Sequence, residues 1–205
     1  MEIKVPFVDL RPQYQKLKNE IDAAISSTLE ESNFIGGHKV TQFENNFAKL
    51  LGVKHCVGVG NGTDAIYIVL KMLGIGNGDE VITVANSWIS TSETITQTGA
   101  KPVFVDISEK TYTINVDLIE RAITANTKAI IPVHLYGHAA DLEPIINICK
   151  KYNLYLIEDC AQSHLTKYNN QIVGTFGIAS TFSFYPGKNL GAYGDAGAII
   201  TNDDE

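Results

Sequence analysis

Lys188 stands just after Pro186-Gly187, which halts a β-type run from Ser180 to Tyr185, and the residues beyond it, Asn189 to Gly197, are too rich in glycine for regular structure. That pattern puts an amine on a turn at the end of a strand. Strand ends of α/β sheets are where ligands collect, and a lysine held there among aromatic and apolar neighbours can have its amine pKa lowered enough to act as a nucleophile. The chain has fourteen lysines, so a loop lysine in water is the competing reading and Lys188 needs partners.

Glu158-Asp159-Cys160-Ala161-Gln162-Ser163-His164 closes an apolar strand with two acids. By alternation they face opposite sides, so one of them can enter a site. A carboxylate there suits pairing with a protonated ring nitrogen, and Gln162 could donate to a ring oxygen; a helix N-cap at Asp159 fits equally well. Gly58-Val59-Gly60-Asn61-Gly62-Thr63-Asp64-Ala65 follows the first strand and opens a helix. Glycines let the backbone approach an anion, and free amides at a helix start favour a phosphate. Both a monophosphate cradle at Gly62, Thr63 and Asp64 and a plain glycine turn capped by Thr63 or Asp64 satisfy this pattern. A dinucleotide fingerprint does not, because it needs glycine at Thr63 and an acid after the next strand, where Val84-Ala85-Asn86 offers none. Trp88, the only tryptophan, follows that strand and could stack on an aromatic ligand or fill the core. His164 could be an acid, a base or a structural histidine. His134 and His138 have helical ligand spacing but straddle a strand end and a glycine, so no metal is expected. A phosphate cradle, a stacking ring, an acid for a ring nitrogen and a lysine nucleophile are together what pyridoxal phosphate requires of a protein.

The elements that must position these residues alternate along the chain. Apolar runs at Cys56–Val59, Glu80–Val84, Pro102–Asp106, Ala129–His134, Leu154–Asp159, Ala179–Tyr185 and Ala198–Thr201 read as seven strands. Helical patterns fit between them at Thr63–Leu73, Ser90–Thr98, Val116–Thr124 and Leu142–Tyr152. Continuous apolar strands separated by helices predict an α/β, three-layer sandwich with a mainly parallel seven-stranded sheet. The last strand follows its predecessor with no room for a crossover helix, so it should run antiparallel. Two amphipathic helices precede the sheet, one past Arg11-Pro12 and one carrying Val40, Phe43, Phe47, Leu50 and Leu51. The expected division is an N-terminal helical segment, 1–53, packing on a large domain, 54–205.

With 205 residues the chain can bury a substantial core, and it reads as globular. A formal charge of −7 with two arginines and no basic run argues against nucleic acid or an anionic membrane. Cys56, Cys149 and Cys160 have no short pairing and are odd in number, which predicts reduced buried thiols. No stretch approaches a membrane span and the start has no apolar leader, so the cytoplasm is the expected location.

The chain resembles the sugar-nucleotide aminotransferases among the fold-type-I pyridoxal phosphate enzymes. The resemblance runs from Val5-Pro6-Phe7-Val8-Asp9-Leu10 through Gly60–Ala65, Gly99–Asp106 and Pro132–Gly137 to the final strand, and is most specific at Glu158–His164 and Ser183–Gly191. It implies the cofactor-binding large domain of that fold, pyridoxal 5'-phosphate as cofactor, and Lys188 as the residue that attaches it and then moves a proton between cofactor and sugar carbons. By the same likeness Asp159 keeps the pyridine nitrogen protonated, Gln162 bonds the ring oxygen, and Trp88 stacks where the family more often has phenylalanine. Ser183 with the amides of Gly62, Thr63 and Asp64 would hold the phosphate. A dehydratase branch has histidine in place of this lysine, so Lys188 favours transamination. The implied reaction moves an amino group from glutamate onto a nucleotide-linked keto-deoxy-sugar in polysaccharide, lipopolysaccharide or natural-product biosynthesis, in a homodimer with shared active sites. A cyclitol aminotransferase and a cofactor-binding fragment without turnover are the alternatives. Two departures stand out: Leu165-Thr166 occupy positions where the family usually has glycine and a small residue, and the chain stops at Glu205, where family members continue into a small C-terminal domain.

Overall fold

The structure, a computed structural model, describes residues 5–205. The chain divides into two compact units between Phe43 and Glu44, ten residues before the 53/54 boundary that the hydrophobic pattern suggests. In the first unit, helix α1 (Arg11–Glu31) starts with proline in its first turn, where the missing N–H costs nothing. It ends at Ser32, whose left-handed backbone directs its N–H to the Leu29 carbonyl (3.1 Å). Among the described residues no helix is long and apolar enough to cross a membrane.

Residues 44–205 hold the sheet. Its strands are β1 (His55–Val59), β2 (Glu80–Val84), β3 (Lys101–Val105), β4 (Thr127–Ile130), β5 (Tyr155–Asp159), β8 (Ala179–Ser183) and β9 (Gly197–Thr201), with a separate hairpin of β6 (Lys167–Tyr168) and β7 (Gln171–Ile172). The order across the sheet is β1-β9-β8-β5-β4-β2-β3. Four pairings, β2 with β3, β2 with β4, β4 with β5 and β5 with β8, are parallel. β9 is antiparallel to β8, as their short connection requires, and antiparallel to β1 as well, and it lies inside the sheet between them.

Strands β2 and β8 are buried at every position, which only a sheet covered on both faces allows. Helices α3 (Gly62–Met72) and α4 (Ser90–Thr98) cover one face with Ala65, Ile66, Val69, Leu70 and Ile95, against Val81, Ala129, Ile131, Ile157 and Ile199. On the other face, α5 (Leu142–Tyr152) and the end of α2 (Gly37–Leu51) pack Leu142, Ile145, Phe47 and Leu51 against Ile82, Ile130, Leu156, Phe182 and Ile200. The period of two along β5 sends Leu156 to the α5 side and Ile157 to the α3 side. It therefore sends Glu158 towards α5 and Asp159 towards α3 and α4.

Three segments differ from the sequence pattern. The expected helix over Val116–Thr124 is two 3₁₀ turns, Val116–Leu118 and Glu120–Ala122. Asn115 captures the Asp117 amide (3.1 Å), and Thr124 is drawn to Glu80 through its hydroxyl (2.6 Å) and to Thr127 through its N–H (2.9 Å), so local side-chain bonds replace the helical ladder. The fourth strand stops at Ile130 rather than His134, because Pro132 has no N–H for the ladder, and pairing resumes only as a Val133–Asp159 bridge. The β6–β7 hairpin turns through Asn169 (φ 48°) and Asn170 (φ 66°), residues that tolerate the left-handed backbone such a turn demands.

Leu165 has φ 63°, an uncommon conformation for a branched side chain, and is 44% exposed. The strain, about 1–2 kcal/mol, is offset by the apolar area that the half-buried side chain covers and by the entropy a glycine would add to the unfolded chain. Leu165→Gly is therefore expected to change stability by less than about 1 kcal/mol. A urea midpoint that moves by more than that in either direction would count against this balance.

Candidate active site

One cavity of about 740 Å³ opens at the carboxyl ends of the strands, lined by the start of α3, the start of α4, the end of β5 and the loop after β8. Six of the seven positions singled out in the sequence beside Lys188 itself, namely Gly62, Thr63, Asp64, Trp88, Asp159 and Ser183, meet Lys188 around it. Gln162 is not among its lining residues.

The α3 end of the cavity presents open backbone donors. Asn61 caps the helix, its Oδ1 accepting the Asp64 N–H (2.8 Å) and its carbonyl accepting the Ala65 N–H (3.1 Å). Gly62 and Thr63 come first in the helix, where no carbonyl lies one turn back to accept from their N–H groups. These two amides, rather than that of Asp64, are the donors on offer. Gly62 must be glycine for a packing reason: a Cβ there would stand 2.8 Å from Ser183 Cβ, so only a bare backbone brings the helix start against the end of β8. The Thr63 hydroxyl meets Ser90 Oγ (2.7 Å). The Asp64 carboxylate, held by Asn61 Nδ2 (3.0 Å), adds a negative charge to the same rim.

Asp159 sits at the cavity floor, almost wholly buried. Its Oδ1 accepts the Ala161 N–H (3.1 Å) and its Oδ2 accepts the Thr91 hydroxyl (2.9 Å). Burial pushes its pKa up, and those two donors, with the Lys188 charge, pull against that. A carboxylate with both oxygens anchored in a dry pocket can hold a proton on a ligand nitrogen facing it.

Lys188 is half-buried on a β-turn closed by its own N–H on the Tyr185 carbonyl (2.8 Å), with Pro186 presetting the turn. The following loop folds back so tightly that a Cβ on Gly191 would stand 2.3 Å from the Pro186 carbonyl oxygen. Burial lowers the amine's pKa, opposed by the charge of Asp159. A partly desolvated amine on a braced turn is the setting in which lysine becomes a nucleophile.

Trp88 lines the mouth and is 73% exposed, so core packing is not its role within this chain. Gln162 Oε1 accepts the N–H of Tyr136 (2.9 Å), a residue in left-handed conformation (φ 54°). With that oxygen engaged, Nε2 is what Gln162 has left to donate. Thr166 Oγ1 donates to the Gly137 carbonyl (3.0 Å) and ties the same two segments together. His164 is wedged between Phe182 and Phe184, both ring centroids at 5.5 Å, and burial lowers its pKa. His134 lies fully buried on the opposite face of the sheet from the cavity, against Glu158 (3.1 Å).

Ser90, Thr91, Tyr185 and Asp195 also line the cavity and were not singled out in the sequence. For Ser90 and Thr91 a signal existed: two adjacent hydroxyls at the start of a helix that follows a strand end. The residues present fit pyridoxal phosphate: two unengaged amides and a serine for the phosphate, an anchored acid, an indole and a half-buried amine.

The model of the DegT/DnrJ/EryC1/StrS aminotransferase family matches residues 15–205. Among curated relatives, a "pleiotropic regulatory protein" of Geobacillus stearothermophilus is 51% identical over 99% of this chain and 55% of its own length. The UDP-2-acetamido-2-deoxy-3-oxo-D-glucuronate aminotransferase of Pseudomonas aeruginosa is 46% identical over 98% of this chain and 56% of its own. Among solved structures, S. venezuelae DesV in complex with a ketimine intermediate superposes with a TM-score of 0.96 at 42% identity, covering 99% of this chain and 55% of that one. NtdA from Bacillus subtilis with bound cofactor PMP has a TM-score of 0.92 at 37% identity, covering 100% and 46%. The chain thus spans about half the length of the curated relatives it matches. Aminotransferases of this family depend on pyridoxal phosphate. The match takes in the whole seven-stranded sheet and every residue that lines the cavity, and so the chain belongs to the DegT/DnrJ/EryC1/StrS aminotransferase family.

Proposed function

We propose that the protein transfers an amino group, with glutamate as donor, to the keto group of a nucleotide-linked deoxy-sugar, in a pathway that builds polysaccharide or natural-product sugars. The observation that carries this reading is the convergence of Lys188, Asp159 and the open amide end of α3 on one cavity, in a chain whose relatives include a named sugar-nucleotide aminotransferase. When bound, pyridoxal phosphate supplies an electron sink for the negative charge left on carbon after a proton departs. Gly62, Thr63 and Ser183 would bind the phosphate and set the ring's position. Asp159 would hold the proton on the ring nitrogen, its oxygens kept in register by Ala161 and Thr91. Trp88 would cover one ring face, and Gln162 would donate from Nε2. Lys188 Nζ would bind the cofactor and, once released, carry the proton between the two reacting carbons. The exposed Trp88 and Tyr185 at the mouth offer an apolar rim, which suits closure by a second subunit in a homodimer.

Borohydride should fix the cofactor on Lys188 of the full-length protein, and glutamate should aminate keto-sugar nucleotides in preference to keto-inositols. Fixation on another lysine would overturn the site assignment, and preference for keto-inositols would overturn the substrate class.

A further inference from the structure

Two adjacent residues in the first turn of α4, Ser90 and Thr91, reach two different parts of the cavity. Ser90 meets Thr63 beside the α3 end, and Thr91 meets Asp159 at the floor. Thr91 is buried to within 1% of complete, so no water competes for its hydroxyl. Its single hydroxyl proton is donated to Asp159 Oδ2 at 2.9 Å. Thr91 Oγ1 also lies 3.0 Å from Ser87 Oγ. With the Thr91 proton committed, Ser87 must be the donor in that contact. The result is a directed chain of hydroxyls, Ser87 to Thr91 to Asp159, which begins next to the exposed Trp88 and ends on the buried acid.

We propose that Thr91 is the positioning residue for Asp159, fixing its Oδ2 and favouring its ionised form, with Ser87 orienting the Thr91 hydroxyl. The functional meaning rests on the reading of Asp159 as the partner of a ring nitrogen, but the contact itself belongs to the protein alone. The other groups acting on Asp159 are the Ala161 amide on its own segment, Lys188 from the loop after β8 and, by charge from the other face of the sheet, His134 in the segment after β4. Thr91 is the side chain among them that hydrogen-bonds Asp159 directly. A hydroxyl donated to a carboxylate stabilises the charged form, so its removal must raise the Asp159 titration midpoint, in the direction burial already drives it.

The test is a carboxyl-carbon NMR titration of Asp159 in the cofactor-free full-length protein, with thermal unfolding as a check on folding. Thr91→Val keeps the shape and removes the donor; it should raise the midpoint by about one pH unit, the worth of one hydrogen bond to a charged group. Thr91→Ser should return it to the wild-type value. Ser87→Ala, which leaves the contact with Asp159 in place, should shift it the same way by a smaller amount. A wild-type midpoint in Thr91→Val, or equal shifts in Thr91→Ser and Thr91→Val, would overturn the proposal. Should Thr91→Val fail to fold, the wild-type midpoint in Ser87→Ala would overturn it and a partial upward shift would support it. Pyridoxal phosphate binding, measured separately, distinguishes the two levels: the shift without binding leaves Thr91 in its role and removes the cofactor reading.

Discussion

Lys188→Ala is expected to abolish covalent attachment of the cofactor and to lower amino transfer by more than about 10³-fold, because the proposed function makes one side chain both the nucleophile and the proton carrier. The amine is half-buried, on a turn held by the Lys188 N–H to the Tyr185 carbonyl, and burial depresses its pKa. More of it is therefore unprotonated near neutral pH than in an ordinary surface lysine, and only the unprotonated form can attack a carbonyl. Lys188→Arg separates this from a charge effect. Arginine keeps the positive charge facing Asp159 but does not give up its proton, so it should fail as fully as alanine. Mass spectrometry after borohydride, with turnover by the full-length protein, reads both variants. Residual fixation of the cofactor, or transamination by Lys188→Ala, would remove Lys188 from its role.

The largest stability effect is expected one residue before Asp159. Glu158 is fully buried on the α5 side, and all its acceptor positions are filled: Oε1 by the amides of Phe176 (2.8 Å) and Gly177 (2.9 Å), Oε2 by the Gly174 amide (2.6 Å) and His134 Nε2 (3.1 Å). His134 cannot change its part. Its Nδ1 accepts the Ala140 N–H (3.0 Å), so the ring proton sits on Nε2, pointing at Glu158. Glu158→Gln brings a donating NH₂ to face either two amides or an amide and an imidazole N–H, with no water to intervene. Two buried donors lose their acceptor, each loss costing about 1–3 kcal/mol. Glu158→Gln should therefore lower unfolding stability by about 3–5 kcal/mol, the scale of breaking a buried pair. The readout is the denaturant midpoint at unchanged slope. A loss under about 1 kcal/mol would mean that the cluster does not hold the loop after β7 to the sheet.

Glu158 and Asp159 also mark how far the sequence could be read. An apolar strand ending in two acids says that the two diverge, and period-two alternation was enough to predict opposite faces. Which of them enters the site depends on which helices cover which face, and that is a tertiary fact: Ile157 packs with α3, so Asp159 joins it. The strands, the helices α3 to α5 and the antiparallel last strand were legible because continuous apolar runs and 3.6-residue periodicity are local signals. The segment Val116–Thr124 was not, since Thr124 is claimed by Glu80 from a distant part of the chain. Thr91 carried a local signal, a hydroxyl at the start of a helix after a strand end, but its partner Asp159 is sixty-eight positions away, and that pairing is not a local property. The β6–β7 hairpin had a signal, Asn169-Asn170, too short for hydrophobic periodicity to flag. Gln162 shows the reverse case, a residue whose identity suggested one contact and whose oxygen is engaged by another, the Tyr136 amide.

The placement of β9 inside the sheet has a consequence for the order of folding. β1 touches the sheet through β9 alone, with Val57 opposite Ile199 and Cys56 opposite Ile200. During synthesis β1 and the glycine turn after it emerge early, yet β1 has no strand to pair with until residues 197–201 have left the ribosome. Gly62 likewise waits for Ser183. Closing so long a loop is entropically costly, and folds dominated by such pairings are slow. The turn at Gly62 and Thr63, the proposed phosphate seat, should thus be among the last parts of residues 44–205 to gain protection from hydrogen exchange during refolding, well after the local parallel pairing of β2 with β3.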